Sequence, residues 1–271
     1  MCNPPFYEST DELLSLAKEK QRPPFSACTG AEVEMVTPGG EVAFVKRMIE
    51  ESQTLKERVE WYTSMLGKYG SVSAIIPYLK ERNVTNYAVT EFVHGTKTRR
   101  WALGWSWGDM RPSVVFHALP HSSCLRSDLF QKAARGISSL PKSLLPFPSE
   151  FDFVMSGISI DVVGQRVNSA LEDLGLQWQW KPAMAMGVGF ADGNVWSRAS
   201  RRRQKRAKEG VEDMQDESSD SDEAALGFKI QLTASKESKD VNVIIRWLKG
   251  NDSVLFESFC GMLKRKVSSE G

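Results

Sequence analysis

The sequence predicts an α/β fold that is followed by a smaller α+β lobe. Three observations favour this fold class. Helical and strand patterns alternate between residues 41 and 107, and the last two read as strands joined by a short turn. A proline-rich connection at residues 141–148 precedes a second series of strand and helix patterns. With 41% hydrophobic residues, a chain of 271 residues can form one large domain or two small ones.

The elements of the first part follow from local spacing. The predicted elements are a short helix over 11–17, a helix over 41–57, a strand over 60–66, a helix over 71–80, and strands over 84–93 and 98–107. Pro77 conflicts with the last helix, because helices usually accept proline only in their first turn. Trp101, Trp105 and Trp107 alternate and therefore share one face of a strand. We interpret Trp105 and Trp107 as core residues under a helix rather than as binding residues.

The second part of the chain shows a similar mixture of patterns. The predicted elements are a strand over 114–119, a helix over 127–140, a strand over 151–160, a helix over 161–174 that Gly175 ends, strands over 176–181, 187–197, 227–232 and 241–248, and a helix over 253–267. The final strand–strand–helix unit either completes the sheet of the second lobe or forms a small separate module. The predicted divisions are residues 1–110, an α+β extension at 111–197, a charged linker at 198–225 and the final unit at 226–271.

The formal net charge of +1 hides two strongly charged neighbouring segments. The basic run comprises Arg198, Arg201, Arg202, Arg203, Lys205, Arg206 and Lys208. An acidic, serine-rich segment follows at residues 212–223. Basic runs of this density favour nucleic-acid contact or nuclear import, which indicates the nucleus and leaves the cytoplasm open. The acidic segment is typical of disorder and could bind a protein partner; alternatively, both runs form a flexible linker whose charges neutralise each other.

Cysteine usage and hydropathy argue against several classes of protein. The four cysteines are widely spaced, at Cys2, Cys28, Cys124 and Cys260. They include no Cys-x-x-Cys pair, so we expect neither a metal site nor a disulfide framework. No apolar run reaches membrane-spanning length, and no basic-then-apolar leader is recognisable. We therefore expect a soluble intracellular protein that binds no membrane.

The first residues carry the strongest chemical signal, the sequence Asn3-Pro4-Pro5-Phe6. The exocyclic amine of a nucleobase is a weak nucleophile, because its lone pair is delocalised into the ring. The side-chain carbonyl of Asn3 and the main-chain carbonyl of Pro4 can accept its two hydrogens and leave the lone pair aimed at a methyl donor. Consecutive prolines fix these carbonyls, and the Phe6 ring can stack on a base that has left its own stack. An ordinary turn is the alternative.

Further blocks follow this motif in a fixed order. They are NPPFYE at 3–8, RPP at 22–24, TG at 29–30, GGEVAFVKRMI at 39–49, WYTSMLGK at 61–68 and RRWALGWSW at 99–107. In this order the chain resembles the methyltransferase-like protein 16 family and its bacterial relatives that methylate an adenine of 23S rRNA. The resemblance is close over residues 1–107, weaker over 114–208 and only suggestive beyond.

The resemblance implies an RNA adenine-N6 methyltransferase that uses S-adenosyl-L-methionine and acts on structured RNA such as U6 snRNA. Asn3 and Pro4 would hold the adenine amino group, Pro5 would shape the turn and Phe6 would stack on the flipped base. Asn3 would also lie against the cofactor. The RNA contacts would come from Arg22, Arg99, Arg100, Arg201, Arg202, Arg203, Lys205 and Arg206.

The resemblance further implies that residues 1–110 are the C-terminal half of a Rossmann-like methyltransferase sheet. The half that carries the glycine-rich cofactor turn would precede Asn3, and Gly187-Val188-Gly189 is too weak a substitute. We therefore expect the chain to be truncated and weakly active or inactive alone. A non-catalytic RNA-binding remnant or an adaptor protein is the alternative.

Overall fold

The computed structural model describes residues 1–19, 32–94, 98–112, 140–200, 202, 206, 224–234 and 240–269. Within these ranges the predicted mixture of helices and sheets is confirmed. The described residues form two compact units, the first from 1–108 with 140–147 and the second from 109–112 with the rest. The strand predicted over 114–119 and nearly all of the helix predicted over 127–140 lie outside the described residues.

Where the structure describes the first unit, four helices accompany a three-stranded sheet. The helices are α1 (Thr10–Glu19), α2 (Glu32–Met35), α3 (Gly40–Leu55) and α4 (Tyr69–Glu81), and the strands are β1 (Tyr62–Leu66), β2 (Tyr87–His94) and β3 (Thr98–Trp105). The strand order is β1-β3-β2, and both pairings are antiparallel. Cys2 pairs with Ser64 of β1 in parallel, so the N-terminal segment extends the sheet beside β1. A parallel neighbour at one side and a reversed terminal hairpin at the other fit the expected back half of a Rossmann-like sheet.

The core of the first unit confirms the interpretation of Trp105 as a buried residue. Its side chain is fully buried, and Trp107 is half-buried against the same cluster. Both indoles donate to the hydroxyl oxygen of Ser52 in α3, at 3.1 Å from Trp105 and 2.9 Å from Trp107. The two tryptophans therefore connect β3, and the residues directly after it, to helix α3.

Helix α4 continues through Pro77, although a proline at this position conflicts with the predicted helix. Pro77 is exposed, whereas its neighbours Ile75, Ile76 and Leu79 are fully buried. An internal proline costs a helix about 3 kcal/mol or more, and each buried aliphatic side chain contributes roughly 1.5–3 kcal/mol. Burial of three such residues therefore outweighs the local penalty.

In its described residues, the second unit contains a five-stranded antiparallel sheet, two long helices and the helical residues 198–200, 202 and 206. Its elements are β4 (Glu150–Ser156), α5 (Ile160–Glu172), β5 (Gln177–Lys181), β6 (Met186–Ala191), β7 (Leu226–Ala234), β8 (Asp240–Lys249) and α6 (Ser253–Ser269). The strand order is β4-β8-β7-β6-β5. Because β7 and β8 lie between β4 and β6, the final strand–strand–helix unit completes this sheet instead of forming a separate module.

The glycines of β6 have a packing role. A Cβ on Gly187 would lie 2.2 Å from the Trp178 ring, and one on Gly189 would lie 2.4 Å from the Phe228 ring. The Gly-x-Gly sequence thus lets two aromatic rings pack onto the strand. This agrees with the sequence analysis, in which Gly187-Val188-Gly189 was too weak a match to a cofactor-binding turn. The strand ends at Ala191, well before the predicted residue 197.

The boundary between the two units differs from the predicted one. Leu140 and Leu144, which the sequence analysis placed in the extension at 111–197, pack into the core of the first unit.

Among the residues that the structure describes, no helix has both the length and the apolar character needed to cross a membrane.

Candidate functional site

The segment Asn3–Phe6 leaves the sheet at a fixed place. The Cys2 amide donates to the Thr63 carbonyl at 2.7 Å, and the Met65 amide donates to the Cys2 carbonyl at 3.0 Å. The segment runs parallel to β1, so it emerges beside the carboxyl end of that strand. In open α/β sheets this is the edge at which ligands bind.

The four residues of the motif differ in exposure. Pro4 is buried, Pro5 and Phe6 are half-buried, and Asn3 is exposed. The prolines restrict the backbone on both sides of the Pro4 carbonyl. The motif therefore presents a polar amide at the surface above a buried, conformationally restricted anchor.

The residues after the motif are held as well. The Tyr7 amide donates to the Met35 carbonyl at 3.1 Å, and the Thr37 amide donates to the Tyr7 carbonyl at 3.0 Å. These bonds tie the end of the motif to the residues that precede α3.

A second tie runs through Glu12 in α1. Its carboxylate accepts the Glu8 amide at 2.7 Å and pairs with the Lys68 ammonium at 2.5 Å. The hydrogen bond from Lys68, followed by the one from the Glu8 amide, lowers the pKa of Glu12. The carboxylate consequently stays charged near neutral pH.

Phe6 and Arg100 lie close together in the structure. The Arg100 guanidinium is 5.7 Å from the centroid of the Phe6 ring, within the range of a cation–π contact. One guanidinium nitrogen of Arg100 also donates to the carbonyl of Gly67 at 3.4 Å. The ring and the cation therefore form one face beside the turn that follows β1.

Arg99 has different surroundings. It pairs with Glu91 of β2 at 2.6 Å, and the Glu91 side chain is 1% exposed whereas that of Arg99 is 51% exposed. A buried carboxylate thus anchors one end of an arginine that is still open to solvent.

Glu41 belongs to the same site, although its position in the sequence predicts only the start of a helix. Its buried carboxylate accepts the Gly67 amide at 2.6 Å and the Lys68 amide at 3.0 Å. An acidic residue in the first turn of a helix is ordinary, so no local pattern could have indicated a partner 26 residues downstream.

Cys2 lies next to the motif but is poorly suited to be a nucleophile. Burial raises the pKa of its thiol, and the N-terminal charge and a hydrogen bond with Ser64 oppose this only in part. The reactive form of cysteine is the thiolate, and a raised pKa lowers the thiolate fraction at any given pH.

The remaining predicted RNA contacts are only partly described. Arg22, Arg201, Arg203 and Lys205 lie outside the described residues. Arg202 and Arg206 are helical and exposed. The contribution of these residues to RNA binding stays a prediction, as do the catalytic roles of Asn3, Pro4, Pro5 and Phe6.

The arrangement at this edge can hold a planar heterocycle. Phe6 offers an aromatic face, Arg100 places positive charge beside that face, and Asn3 offers amide groups at the surface. Aromatic rings and guanidinium planes are the platforms on which splayed-out bases stack.

Comparison with known proteins agrees with this chemistry. A family model described as RNA methyltransferase matches residues 1–109. The chain is 30% identical over 273 residues to the U6 small nuclear RNA (adenine-(43)-N(6))-methyltransferase of Schizosaccharomyces pombe, across 98% of this chain and 59% of that protein. It therefore spans about three fifths of the length of this relative.

Two solved human structures are also similar in sequence. The catalytic domain of Mettl16 in complex with a MAT2A 3'UTR hairpin is 41% identical, with 42% of this chain and 40% of that chain covered and a TM-score of 0.38. The N-terminal domain of METTL16 in complex with SAH is 44% identical over 32% of this chain and 31% of that chain, with a TM-score of 0.25. In sequence the chain is therefore similar to proteins named as RNA adenine-N6 methyltransferases, and its residues 1–109 match a family model described as RNA methyltransferase.

Proposed function

We propose that the protein is an RNA adenine-N6 methyltransferase that transfers a methyl group from S-adenosyl-L-methionine to an adenine in structured RNA. The observation that carries this proposal is the Asn-Pro-Pro-Phe segment at the carboxyl end of β1, with the Phe6 ring beside the Arg100 guanidinium. The names of the relatives support the same reaction and a U6-like or hairpin RNA.

The position of the motif fits the proposed cofactor. Asn3 is exposed at the ligand-binding edge of the sheet, and the buried Pro4 holds it there. S-adenosyl-L-methionine supplies an activated methyl group when bound. The relative solved with SAH supports a cofactor of this type.

The chain's own residues prepare the acceptor nitrogen. The Asn3 side-chain carbonyl and the Pro4 main-chain carbonyl accept the two N6 hydrogens, and this turns the N6 lone pair towards the methyl carbon. With S-adenosyl-L-methionine bound, N6 held in this way would take the methyl group as S-adenosyl-L-homocysteine leaves, and the N6 proton would pass to solvent water. Positioning of this kind contributes by fixing the reacting atoms in a near-attack geometry.

The flipped base and the RNA backbone have separate partners. Phe6 stacks on the base, and Arg100 adds positive charge at the edge of that stack. The exposed, Glu91-anchored Arg99 and the basic run that includes Arg202 and Arg206 contact phosphates. The basic run also supports a nuclear location. The acidic segment proposed as a protein-binding site lies outside the described residues.

Substitution of Asn3 tests the proposal. Methyl transfer from radiolabelled S-adenosyl-L-methionine to a U6-like hairpin is measured in a protein that also carries the glycine-rich half of the methyltransferase sheet. The wild type is compared with Asn3→Ala and with Asn194→Ala, a surface control in the second unit. Calorimetry measures cofactor binding by the same proteins. We expect Asn3→Ala to lower turnover by a factor of about 100 or more, the size of effect seen when one preorganised polar contact is removed, and to leave RNA affinity intact.

Two results would contradict the proposed reaction. Full turnover by Asn3→Ala would remove this residue from catalysis. Salt-sensitive RNA binding without cofactor binding or turnover in the wild type would favour a non-catalytic RNA-binding protein.

A further inference from the structure

We propose that Glu41 is a positioning residue that sets the place of the Phe6 ring, and this inference rests on the proposed function. The two hydrogen bonds of the Glu41 carboxylate go to the backbone of Gly67 and Lys68, and neither involves Asn3. Glu41 acts through the turn at Gly67 and Lys68, against which Phe6 packs.

The first step is the burial of the Glu41 carboxylate. The residue is 2% exposed, and its two oxygens accept the Gly67 amide at 2.6 Å and the Lys68 amide at 3.0 Å. A buried carboxylate is costly unless hydrogen bonds compensate for lost hydration, and hydrogen bonds to a charged acceptor are stronger than neutral ones. The two amides therefore hold the turn tightly to the start of α3.

The second step is the contact between this turn and Phe6. A Cβ built on Gly67 would lie 2.9 Å from Cδ1 of Phe6, so the ring rests directly on the glycine. The carbonyl of the same glycine accepts the hydrogen bond from Arg100. Gly67 thus carries three constraints: Glu41 holds its amide, Arg100 contacts its carbonyl, and Phe6 packs on its Cα.

The third step is the placement of Glu41 itself. Gly39 and Gly40 have φ values of 73° and 60°, a conformation that favours glycine. The Gly40 amide donates to the Thr37 carbonyl at 2.8 Å, and the Thr37 amide donates to the carbonyl of Tyr7, the residue after Phe6. The chain of contacts therefore closes on itself, from Phe6 through Thr37 and Glu41 to Gly67 and back to the Phe6 ring.

Attraction between an acidic side chain and the helix N-terminus does not account for this arrangement. That effect would favour any exposed acid in the first turn of α3. It gives no reason for a buried carboxylate that accepts two amides from a turn at residues 67 and 68.

Two substitutions disturb the ring from different sides. Glu41→Gln replaces one acceptor oxygen with an NH2 group, which must then face an amide donor. Gly67→Ala adds a methyl group 2.9 Å from Cδ1 of the Phe6 ring and 3.3 Å from Oε2 of Glu41, so it displaces the ring directly and also crowds the Glu41 carboxylate. The control for Glu41→Gln is Glu50→Gln in the same helix, where the side chain is 56% exposed. The control for Gly67→Ala is Gly70→Ala, where an added Cβ meets nothing within 4 Å.

The experiment uses the full chain and a hairpin RNA with the fluorescent analogue 8-vinyladenosine, which keeps the N6 amine, in place of adenine 43 of U6 snRNA. Its fluorescence at saturation reports stacking of that base, and anisotropy of an end-labelled copy gives the dissociation constant. Phe6→Leu defines the signal of a complex without the stacking ring. We expect Glu41→Gln and Gly67→Ala to shift the fluorescence most of the way to the Phe6→Leu value, with affinity changed less than about threefold and both controls like the wild type.

The outcomes separate the inference from the proposed function. If Phe6→Leu leaves the fluorescence unchanged, Phe6 does not stack on the base, and both the proposed function and the inference fail. If Phe6→Leu changes it but Glu41→Gln does not, only the inference fails, whatever Gly67→Ala does. A loss of RNA affinity as large as the loss of stacking would indicate a general structural role and would also overturn it. Should Glu41→Gln fold poorly, Glu41→Asp decides in its place, because it keeps the carboxylate but shortens its reach to the Gly67 and Lys68 amides.

Discussion

At the scale of single residues, the site divides its work between exposed and buried groups. Asn3 and Arg99 are exposed and available to a ligand, whereas Pro4, Glu41 and Glu91 are buried and hold them or their neighbours in place. A long polar side chain loses conformational entropy when it binds, and a prior anchor reduces that loss. Buried acids are therefore as much a part of the candidate site as the groups that we propose to contact RNA.

Ser52 is the residue whose loss should most affect the stability of the first unit. Its hydroxyl accepts the indole N–H groups of Trp105 and Trp107 and donates to the Ile49 carbonyl at 2.6 Å. A buried donor left without an acceptor costs about 1–3 kcal/mol. We expect Ser52→Ala to lower the free energy of unfolding by roughly 2–3 kcal/mol, measured by urea unfolding with tryptophan fluorescence.

Ser73→Ala is the control for this prediction, because its hydroxyl makes only a 3.4 Å bond within α4. A decrease below about 0.5 kcal/mol in Ser52→Ala, which is the usual range of a surface substitution, would show that the two indoles find other acceptors.

At the scale of elements, α4 shows how packing overrides local preference. The helix spans Tyr69–Glu81 and includes Pro77, and its buried face consists of aliphatic residues. The propensity of one residue is a local quantity, whereas burial sums over the whole face.

Replacement of the exposed Pro77 should therefore stabilise the protein. Pro77→Ala restores a backbone donor in α4 and removes the clash of the proline ring with the preceding turn. The gain of up to about 3 kcal/mol is reduced by roughly 0.4–1 kcal/mol, because alanine increases the entropy of the unfolded chain. We expect a rise in melting temperature by circular dichroism, and Ala74→Gly, at another exposed position of α4, should lower it. A lower melting temperature in Pro77→Ala would indicate that the proline ring has a packing role.

At the scale of the whole molecule, charge distribution matters more than net charge. The formal charge is +1, yet the basic run is followed directly by an acidic segment. RNA binding responds to the local density of cations, because each phosphate that a cation neutralises releases condensed counterions.

Neutralisation of the basic run should flatten the salt dependence of RNA binding. Glutamine at Arg202 and Arg206 should reduce the slope of log affinity against log salt by about 0.7–0.9 for each phosphate that the variant no longer neutralises. Glutamine at Lys264 and Arg265, which are exposed on α6, makes the same change in charge as a control. An unchanged slope in the first variant, or an equal change in both, would exclude a specific contribution of the run.

Much of the secondary structure was predictable from the sequence because the signals are local. The helix predicted over 41–57 is observed at Gly40–Leu55, and the strand predicted over 241–248 at Asp240–Lys249. The apolar spacing that marks these elements lies within a few turns or a few residues of strand. The Asn-Pro-Pro-Phe motif was equally visible, since its chemistry depends on adjacent residues.

Local sequence patterns therefore predicted the elements and the Asn-Pro-Pro-Phe motif, whereas the contacts between distant residues became visible only in the fold. It placed β7 and β8 inside the second sheet, brought Arg100 to Phe6, and joined Glu41 to Gly67 across 26 residues. Such contacts depend on strand order and on how helices seat against the sheet, and these are set by burial summed over the whole core. A local sequence pattern carries no information about packing across the whole core. For this reason Glu41 looks in the sequence like an ordinary acidic residue in the first turn of a helix.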